Sequence, residues 1–186
     1  MNLPSPQWIG AVFGLSELTI SLVMRARGSA QRKDRHSLTL IWIVGMLSIF
    51  AGIRIAIAVP GTLLSWRYLY PSGFTIFMAG LMLRWWSIWT LGKFFTVQVA
   101  IANDHRLIEQ GPYRFVRHPS YTGSLLMFAG FGLCIGNWLT LIVMLVPVLA
   151  VFGWRIHIEE AALREAFGET WRDYVRRSWR LLPLIY

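Results

Sequence analysis

The sequence has only one cysteine, Cys134, among its 186 residues. A lone cysteine excludes a disulfide framework within the chain and a cysteine-rich zinc site. Histidine is also scarce, and its four positions show no HxxxH or comparable ligand pair. We therefore expect no metal. The histidines are His36, His105, His118 and His157.

Acidic residues are few as well. Nine Asp and Glu stand against 18 Lys and Arg, which gives a net charge of +9 at pH 7. Such an excess can indicate nucleic-acid binding. Here, however, the basic residues cluster at the ends of apolar runs, where membrane proteins carry them. We therefore expect a lipid bilayer and no nucleic acid as partner.

Apolar residues are abundant. They make up 55% of the chain, and the sequence holds ten tryptophans. A soluble domain rarely carries so large an apolar fraction, and tryptophan gathers at membrane interfaces. The composition therefore predicts an integral membrane protein.

Several apolar runs reach the length of about 20 residues that a helix needs to cross a bilayer. They predict an all-α, polytopic membrane helix bundle that forms one domain over residues 1–186. Gly136 and Asn137 are turn formers, and they divide the last run into a helical hairpin. We expect an amphipathic helical cap of two short helices after the last span, with a break at Gly168. The predicted spans are about 8–24, 38–59, 72–91, 120–135 and 138–154.

The basic residues also predict an orientation. They concentrate in the links 25–37 and 92–119 and in the tail after residue 154, whereas the link 60–71 holds only Arg67. With five spans, the three basic segments fall on one side, which the positive-inside rule assigns to the cytoplasm. Two further arginines fall inside spans, where a charge costs about 2.5–3.5 kcal/mol on insertion scales. Arg54 lies near a span end and is expected to reach the interface or pair between helices, while the role of Arg84 stays open.

The segment GPYRFVRHPSYTG, residues 111–123, precedes the fourth span, and we call it the lip. It ends a polar link far longer than a turn between antiparallel helices needs, and long ordered loops are often functional. Proline at position 119 suits the first turn of a helix. We therefore expect a rigid polar binding surface where the chain enters the membrane.

A second polar segment follows the last span directly. Arg155 and Glu159 are four residues apart, so they share one face of a helix. This spacing fits a simple surface ion pair. Because Arg155 follows the apolar run at once, it also fits a functional pair at the depth of the lip.

These residues match known signatures. RHPSY with Gly123 resembles an RHPxYxG motif, and EEAAL at residues 159–163 resembles an EExxL motif, followed by FGETWRDY and LLP. Over about residues 94–183 the chain resembles the isoprenylcysteine carboxyl methyltransferases, integral membrane enzymes that use S-adenosylmethionine. Trp171 departs from the tyrosine usual there. The resemblance implies a prokaryotic relative in a bacterial or archaeal plasma membrane, with its active site facing the cytoplasm.

The resemblance also implies the site residues. Arg155 falls where the family holds the methyl acceptor, a membrane lipid or a prenylated or otherwise lipid-bearing cysteine. The implied cofactor contacts are Gln98, His105, Arg106, Leu107, Ile108, Tyr113, His118, Pro119, Ser120, Tyr121 and Glu159.

The chemistry suggests roles for three of these charged groups. A carboxylate acceptor is already ionised at neutral pH, so it needs orientation rather than a general base. An arginine can grip its oxygens. Arg155, with Arg117 as a second grip, fits that role, and Glu159 suits a hydroxyl or amino group of the cofactor. These three are the predicted catalytic residues.

Three alternatives stay open. A phospholipid amine N-methyltransferase would place Glu159 or Glu160 beside an amine that must lose a proton. An NADPH-dependent membrane sterol-type reductase carries a similar histidine-proline motif. A non-catalytic membrane scaffold would explain the spans and the charges but not the clustered polar signature.

Overall fold

The structure, a computed structural model, describes residues 4–26, 35–60, 66–92 and 107–182. These residues form five α-helices and one short 3-10 helix at Gly111–Arg114. The described part of the chain contains no strand beyond one isolated bridge, between Val116 and Trp179. The predicted all-α class is therefore confirmed. The helices are α1 Pro6–Ala26, α2 Arg35–Ala58, α3 Trp66–Leu91, α4 Pro119–Ile135 and α5 Trp138–Arg177.

Within the described ranges, three helices are long and apolar enough to cross a membrane, namely α2, α3 and α5. The fourth helix is apolar but has 17 residues. Large apolar side chains such as Met46, Phe50 and Trp89 point outward from the bundle, as expected of a surface that faces lipid. These features make the chain an integral membrane protein. A total of five crossings stays a prediction.

Helices α3 and α4 pack backbone to backbone. A methyl group on Gly80 would lie 2.6 Å from the carbonyl oxygen of Gly123 and 2.8 Å from the amide nitrogen of Met127. A methyl group on Gly73 would lie 2.7 Å from the carbonyl oxygen of Gly130. Small residues allow such close approach, which supplies van der Waals contact where lipid removes the hydrophobic driving force.

Aromatic side chains join α1 to this pair of helices. The ring of Phe13 meets Phe128 edge to face at 5.0 Å and Phe77 at 6.1 Å. All three rings are buried. Edge-to-face contacts are favourable for aromatic pairs, so they hold the three helices around one core.

The hairpin predicted between α4 and α5 is confirmed. Gly136 ends α4 in the left-handed conformation, with φ of 75°. Asn137 caps α5 by accepting hydrogen bonds from the amides of Leu139 and Thr140. The side-chain amide of Asn137 also donates to the carbonyl oxygen of Val59, which ties the hairpin to the end of α2.

Two helices extend beyond the spans predicted for them. The third helix begins at Trp66 instead of residue 72 and carries Pro71 inside it. The fifth helix does not end near Trp154, and the first cap helix is its direct continuation. No glycine or proline follows Trp154 until Gly168, so the helix runs on. Gly168 then breaks it with φ of 52° and ψ of −118°, as predicted.

The contact between α3 and α4 is open to a direct test. Gly80→Ala should lower the stability of the bundle by about 1–3 kcal/mol, because the added methyl meets backbone atoms that cannot give way. Gly153→Ala is the matched control, since a methyl there meets nothing within 4 Å. Thermal unfolding in detergent measures both. Equal midpoints for the two variants would show that the contact does not limit stability.

Candidate active site

The lip is held in place by the C-terminal residues 178–182, which we call the strap. The amide of Arg117 donates to the carbonyl oxygen of Trp179 at 2.7 Å, and the amide of His118 donates to that of Arg180 at 3.1 Å. In return, the amide of Trp179 donates to the carbonyl oxygen of Phe115 at 2.9 Å. The strap thus satisfies backbone groups just before α4 begins.

Two tyrosines close the other end of the lip. Gly111 adopts φ of 56° and starts the 3-10 helix that places Tyr113 in the interior. The hydroxyl of Tyr174 donates to the carbonyl oxygen of Tyr113 at 2.6 Å. Burial, followed by the charge of Glu159, raises the pKa of Tyr113 well above its ordinary value, and burial also raises the pKa of Tyr174. Both hydroxyls therefore stay protonated and remain donors at neutral pH.

The predicted pair Arg155–Glu159 forms within α5. The Arg155 Nε donates to Glu159 Oε1 at 3.1 Å, and the same oxygen accepts from the Tyr121 hydroxyl at 2.7 Å. The Arg155 side chain is only 1% exposed, whereas that of Glu159 is 21% exposed. The pair therefore joins α5 to the first turn of α4 and leaves part of the carboxylate accessible.

The neighbouring glutamate, Glu160, faces a different set of partners. Its carboxylate accepts from Arg117 Nε at 3.1 Å and from Arg180 Nη2 at 2.8 Å, and it lies 3.2 Å from His118 Nε2. Burial alone would raise the pKa of Glu160, but the hydrogen bonds from His118 and Arg180 outweigh it and lower that pKa to about 2. Glu160 is therefore an ionised carboxylate that binds both the lip and the strap to α5.

His118 lies between the two glutamates. Its Nε2 faces Glu160, and its Nδ1 lies 3.6 Å from Glu159 Oε2. The ring is 6% exposed and rests beside the ring of Tyr121, with centroids 5.8 Å apart. The Tyr121 ring in turn packs against Phe152 at 4.8 Å. His118 thus connects the ionic cluster around Glu160 to the more exposed carboxylate.

The structure brings together the predicted residues His118, Tyr121, Arg155 and Glu159. Arg117 turns away from this group, because its guanidinium contacts Glu160 and also donates to the carbonyl oxygen of Ser178. Its predicted catalytic role stays a prediction. The remaining predicted contacts fall into three groups. Buried in the lip are Tyr113, Pro119 and Ser120, and half-buried before it are Leu107 and Ile108. Outside the described residues lie Gln98, His105 and Arg106.

Sequence reasoning missed Arg180 and Tyr174 as parts of the site, and it named Glu160 only as a base for the amine alternative. Only Glu160 carried a signal, because it adjoins Glu159. Neighbouring positions on a helix point in different directions. Two adjacent glutamates therefore face different partners. Arg180 resembled any other basic residue of the tail.

Comparison with known proteins now places the chain. The family model for phospholipid methyltransferases matches residues 68–170. Protein-S-isoprenylcysteine O-methyltransferase B of Arabidopsis thaliana is 30% identical over 177 residues, which cover 94% of this chain and 83% of that protein. The chain belongs to the isoprenylcysteine carboxyl methyltransferase family. It is therefore a membrane methyltransferase.

A solved structure supports the same assignment. The eukaryotic intramembrane Ras methyltransferase ICMT (isoprenylcysteine carboxyl methyltransferase) aligns with a TM-score of 0.62 and 27% identity. The match covers 82% of this chain and 55% of that one. A probable protein-S-isoprenylcysteine O-methyltransferase of Oryza sativa subsp. indica is 30% identical over 115 residues, and the chain spans 60% of its length. These relatives are eukaryotic, so they give no support to the prokaryotic source that the sequence suggested.

The cluster around Glu160 makes the stability of this methyltransferase pH-dependent. The pKa of Glu160 is lowered from 4.5 to about 2, so its ionic contribution is complete above pH 4.5 and is lost as the pH falls toward about 2. We expect Glu160→Gln to be less stable than the parent at neutral pH, because Arg117 and Arg180 lose their counter-charge. The difference in stability between the two proteins should narrow as the pH falls from 4.5 toward about 2. Thermal midpoints in detergent across the interval measure it.

Glu169→Gln is the control for this comparison. Its carboxylate pairs with Arg172 on the surface, where the side chain is 78% exposed, and such pairs contribute little. The control should follow the parent at every pH. A Glu160→Gln protein that loses stability in acid as steeply as the parent would contradict an ionised Glu160.

Proposed function

We propose that this protein transfers a methyl group from S-adenosylmethionine to the carboxylate of a prenylated or otherwise lipid-bearing cysteine at the cytoplasmic face of the membrane. The observation that carries the proposal is the buried Arg155 paired with the accessible Glu159 at the end of the apolar part of α5. This arrangement puts a cation and an anion side by side where the apolar run of α5 ends. The names of the relatives point to the same acceptor class.

The residues present suit S-adenosylmethionine as the methyl donor. The donor carries a cationic sulfonium, an ammonium group and ribose hydroxyls, all of which a carboxylate attracts or accepts from. Glu159 is such a carboxylate, and its Oε2 lies 3.6 Å from His118 Nδ1. The aromatic ring of Tyr121 lies beside it. Glu159, His118, Tyr121 and Tyr113 would hold the donor.

The acceptor needs no base in this site. When bound, S-adenosylmethionine supplies an electrophilic methyl group, whose transfer to an ionised carboxylate oxygen involves no proton. The protein's task is to orient that carboxylate and to remove its water. Arg155 can do both, since it is buried and positively charged. The lipid end of the acceptor would remain in the bilayer beside the spans.

A phospholipid amine is the second candidate acceptor, because the phospholipid methyltransferase model matches the chain. An amine arrives as a cation and must lose a proton before it can attack, and the buried charge of Arg155 repels that incoming cation whereas it attracts a carboxylate. Glu160 is not available as its base, since two arginines already bind it. The charges of the site therefore favour the carboxylate. Family membership also favours methyl transfer over the reductase alternative.

The donor site can be tested on the purified protein. Glu159→Gln keeps the shape of the side chain but removes its charge, so its affinity for S-adenosylmethionine should fall roughly tenfold to a hundredfold, the scale of a hydrogen bond to a charged group. Calorimetry in detergent measures the affinity. Glu165→Gln, an exposed site on the same helix, should bind like the parent. Unchanged binding by Glu159→Gln would remove Glu159 from the donor site.

The acceptor chemistry has a separate test. Arg155→Lys keeps the charge but loses the planar fork, so it should methylate a farnesylcysteine-type acid poorly while donor binding stays near normal. Arg155→Ala should lose more, roughly tenfold to a hundredfold in rate, as a charge-assisted bond disappears. The assay is base-labile methyl ester formation with labelled donor. Base-stable methylamine on phosphatidylethanolamine as the parent's sole product would replace the carboxyl proposal with the amine one.

A further inference from the structure

Arg84 lies inside the membrane-spanning helix α3 and bridges to two other helices. Its Nη2 donates to Glu17 Oε2 on α1 at 2.7 Å. Its Nη1 donates to α4, to the carbonyl oxygen of Ser120 at 3.2 Å and to the Ser124 hydroxyl at 2.5 Å. The side chains of Arg84 and Glu17 are 13% and 15% exposed.

These contacts offset the free-energy cost of placing a charge in a membrane. A buried arginine is tolerated when its charge is paired and its donors are satisfied. Glu17 supplies the counter-charge, and α4 supplies three oxygens within reach of one guanidinium nitrogen. The planar fork of arginine serves both directions at once, which the single ammonium of a lysine cannot do.

The position of the contact on α4 matters more than its strength. Ser120 directly precedes Tyr121, whose hydroxyl binds Glu159, and follows Pro119 at the start of the helix. At the same level the backbones of α3 and α4 touch, since a methyl group on Gly123 would lie 2.7 Å from the amide nitrogen of Arg84. The guanidinium therefore fixes the rotation of α4 about its own axis at the turn that carries the site.

We propose that Arg84 is a positioning residue for the active site. Neutralised by Glu17, it holds the first two turns of α4 against α3, and it thereby sets Tyr121 against Glu159. It touches neither acceptor nor donor. The proposal rests on the proposed function in that Tyr121 and Glu159 are taken to form the donor site.

The test follows Tyr121 directly. We would incorporate 3-fluorotyrosine at position 121 alone and record its fluorine resonance in detergent without methyl donor. Arg84→Lys keeps the pair with Glu17 but gives up the fork, and Ser124→Ala removes one acceptor on α4 and leaves the pair intact. Both should shift or broaden the resonance, and both should lower donor affinity by roughly twofold to tenfold, the scale of one hydrogen bond. Arg54→Lys is the matched control, an exposed arginine in α2, and should change neither.

The outcomes separate positioning from stability. A merely structural role would lower the thermal midpoint of Arg84→Lys but leave the resonance and donor affinity of the folded fraction unchanged, which would overturn the proposal. Should Arg84→Lys not fold, Ser124→Ala decides by the same two readouts. An equal response in Arg54→Lys would also overturn it. If the resonance moves as expected while the parent transfers no methyl group, the proposed function fails and the positioning of Tyr121 by Arg84 stands.

Discussion

The ionised carboxylate of Glu160 is the interaction on which the site depends. A buried charge must be paired, and Glu160 meets that demand with Arg117 and His118 from the lip and Arg180 from the strap. Two segments, one before α5 in the chain and one after it, thus converge on one point of that helix. Because neighbouring helix positions point in different directions, the same pairing turns Glu159 toward Tyr121. The structural and the accessible glutamate are therefore set by one ion cluster.

The membrane part supplies a rigid base for this cluster. Glycines let α3 and α4 touch along their backbones, and aromatic rings bind α1 to both. In lipid such packing, together with satisfied polar groups, replaces the hydrophobic drive that holds soluble bundles. The buried pair of Arg84 and Glu17 is one such satisfied polar group, and it lies beside the first turns of α4. The packing of the membrane helices thus also supports the geometry of the site.

The division of charges suits the proposed reaction between a water-soluble methyl donor and a lipid-bound acceptor. A cation, Arg155, is buried at the end of the apolar part of α5, and an anion, Glu159, follows one turn later toward the polar side. Opposite charges in that order would sort an anionic acceptor from a cationic donor along a single helix. The lip and strap contact α5 at Glu160, and any water they exclude there would otherwise weaken the electrostatic interactions within the site.

The sequence by itself determined the local features. Apolar runs predict the helices, Gly136 and Asn137 predict the hairpin, Gly168 predicts the break, and the spacing of Arg155 and Glu159 puts them on one face. Each depends on residues a few positions apart, where helix period and turn chemistry apply. Tertiary structure alone decided that Arg117 binds Glu160 across 43 positions and that Arg84 binds Glu17 across 67. Every arginine in the sequence has the same long, charged side chain. Only the packing of the helices brings one particular charge within hydrogen-bond reach of another.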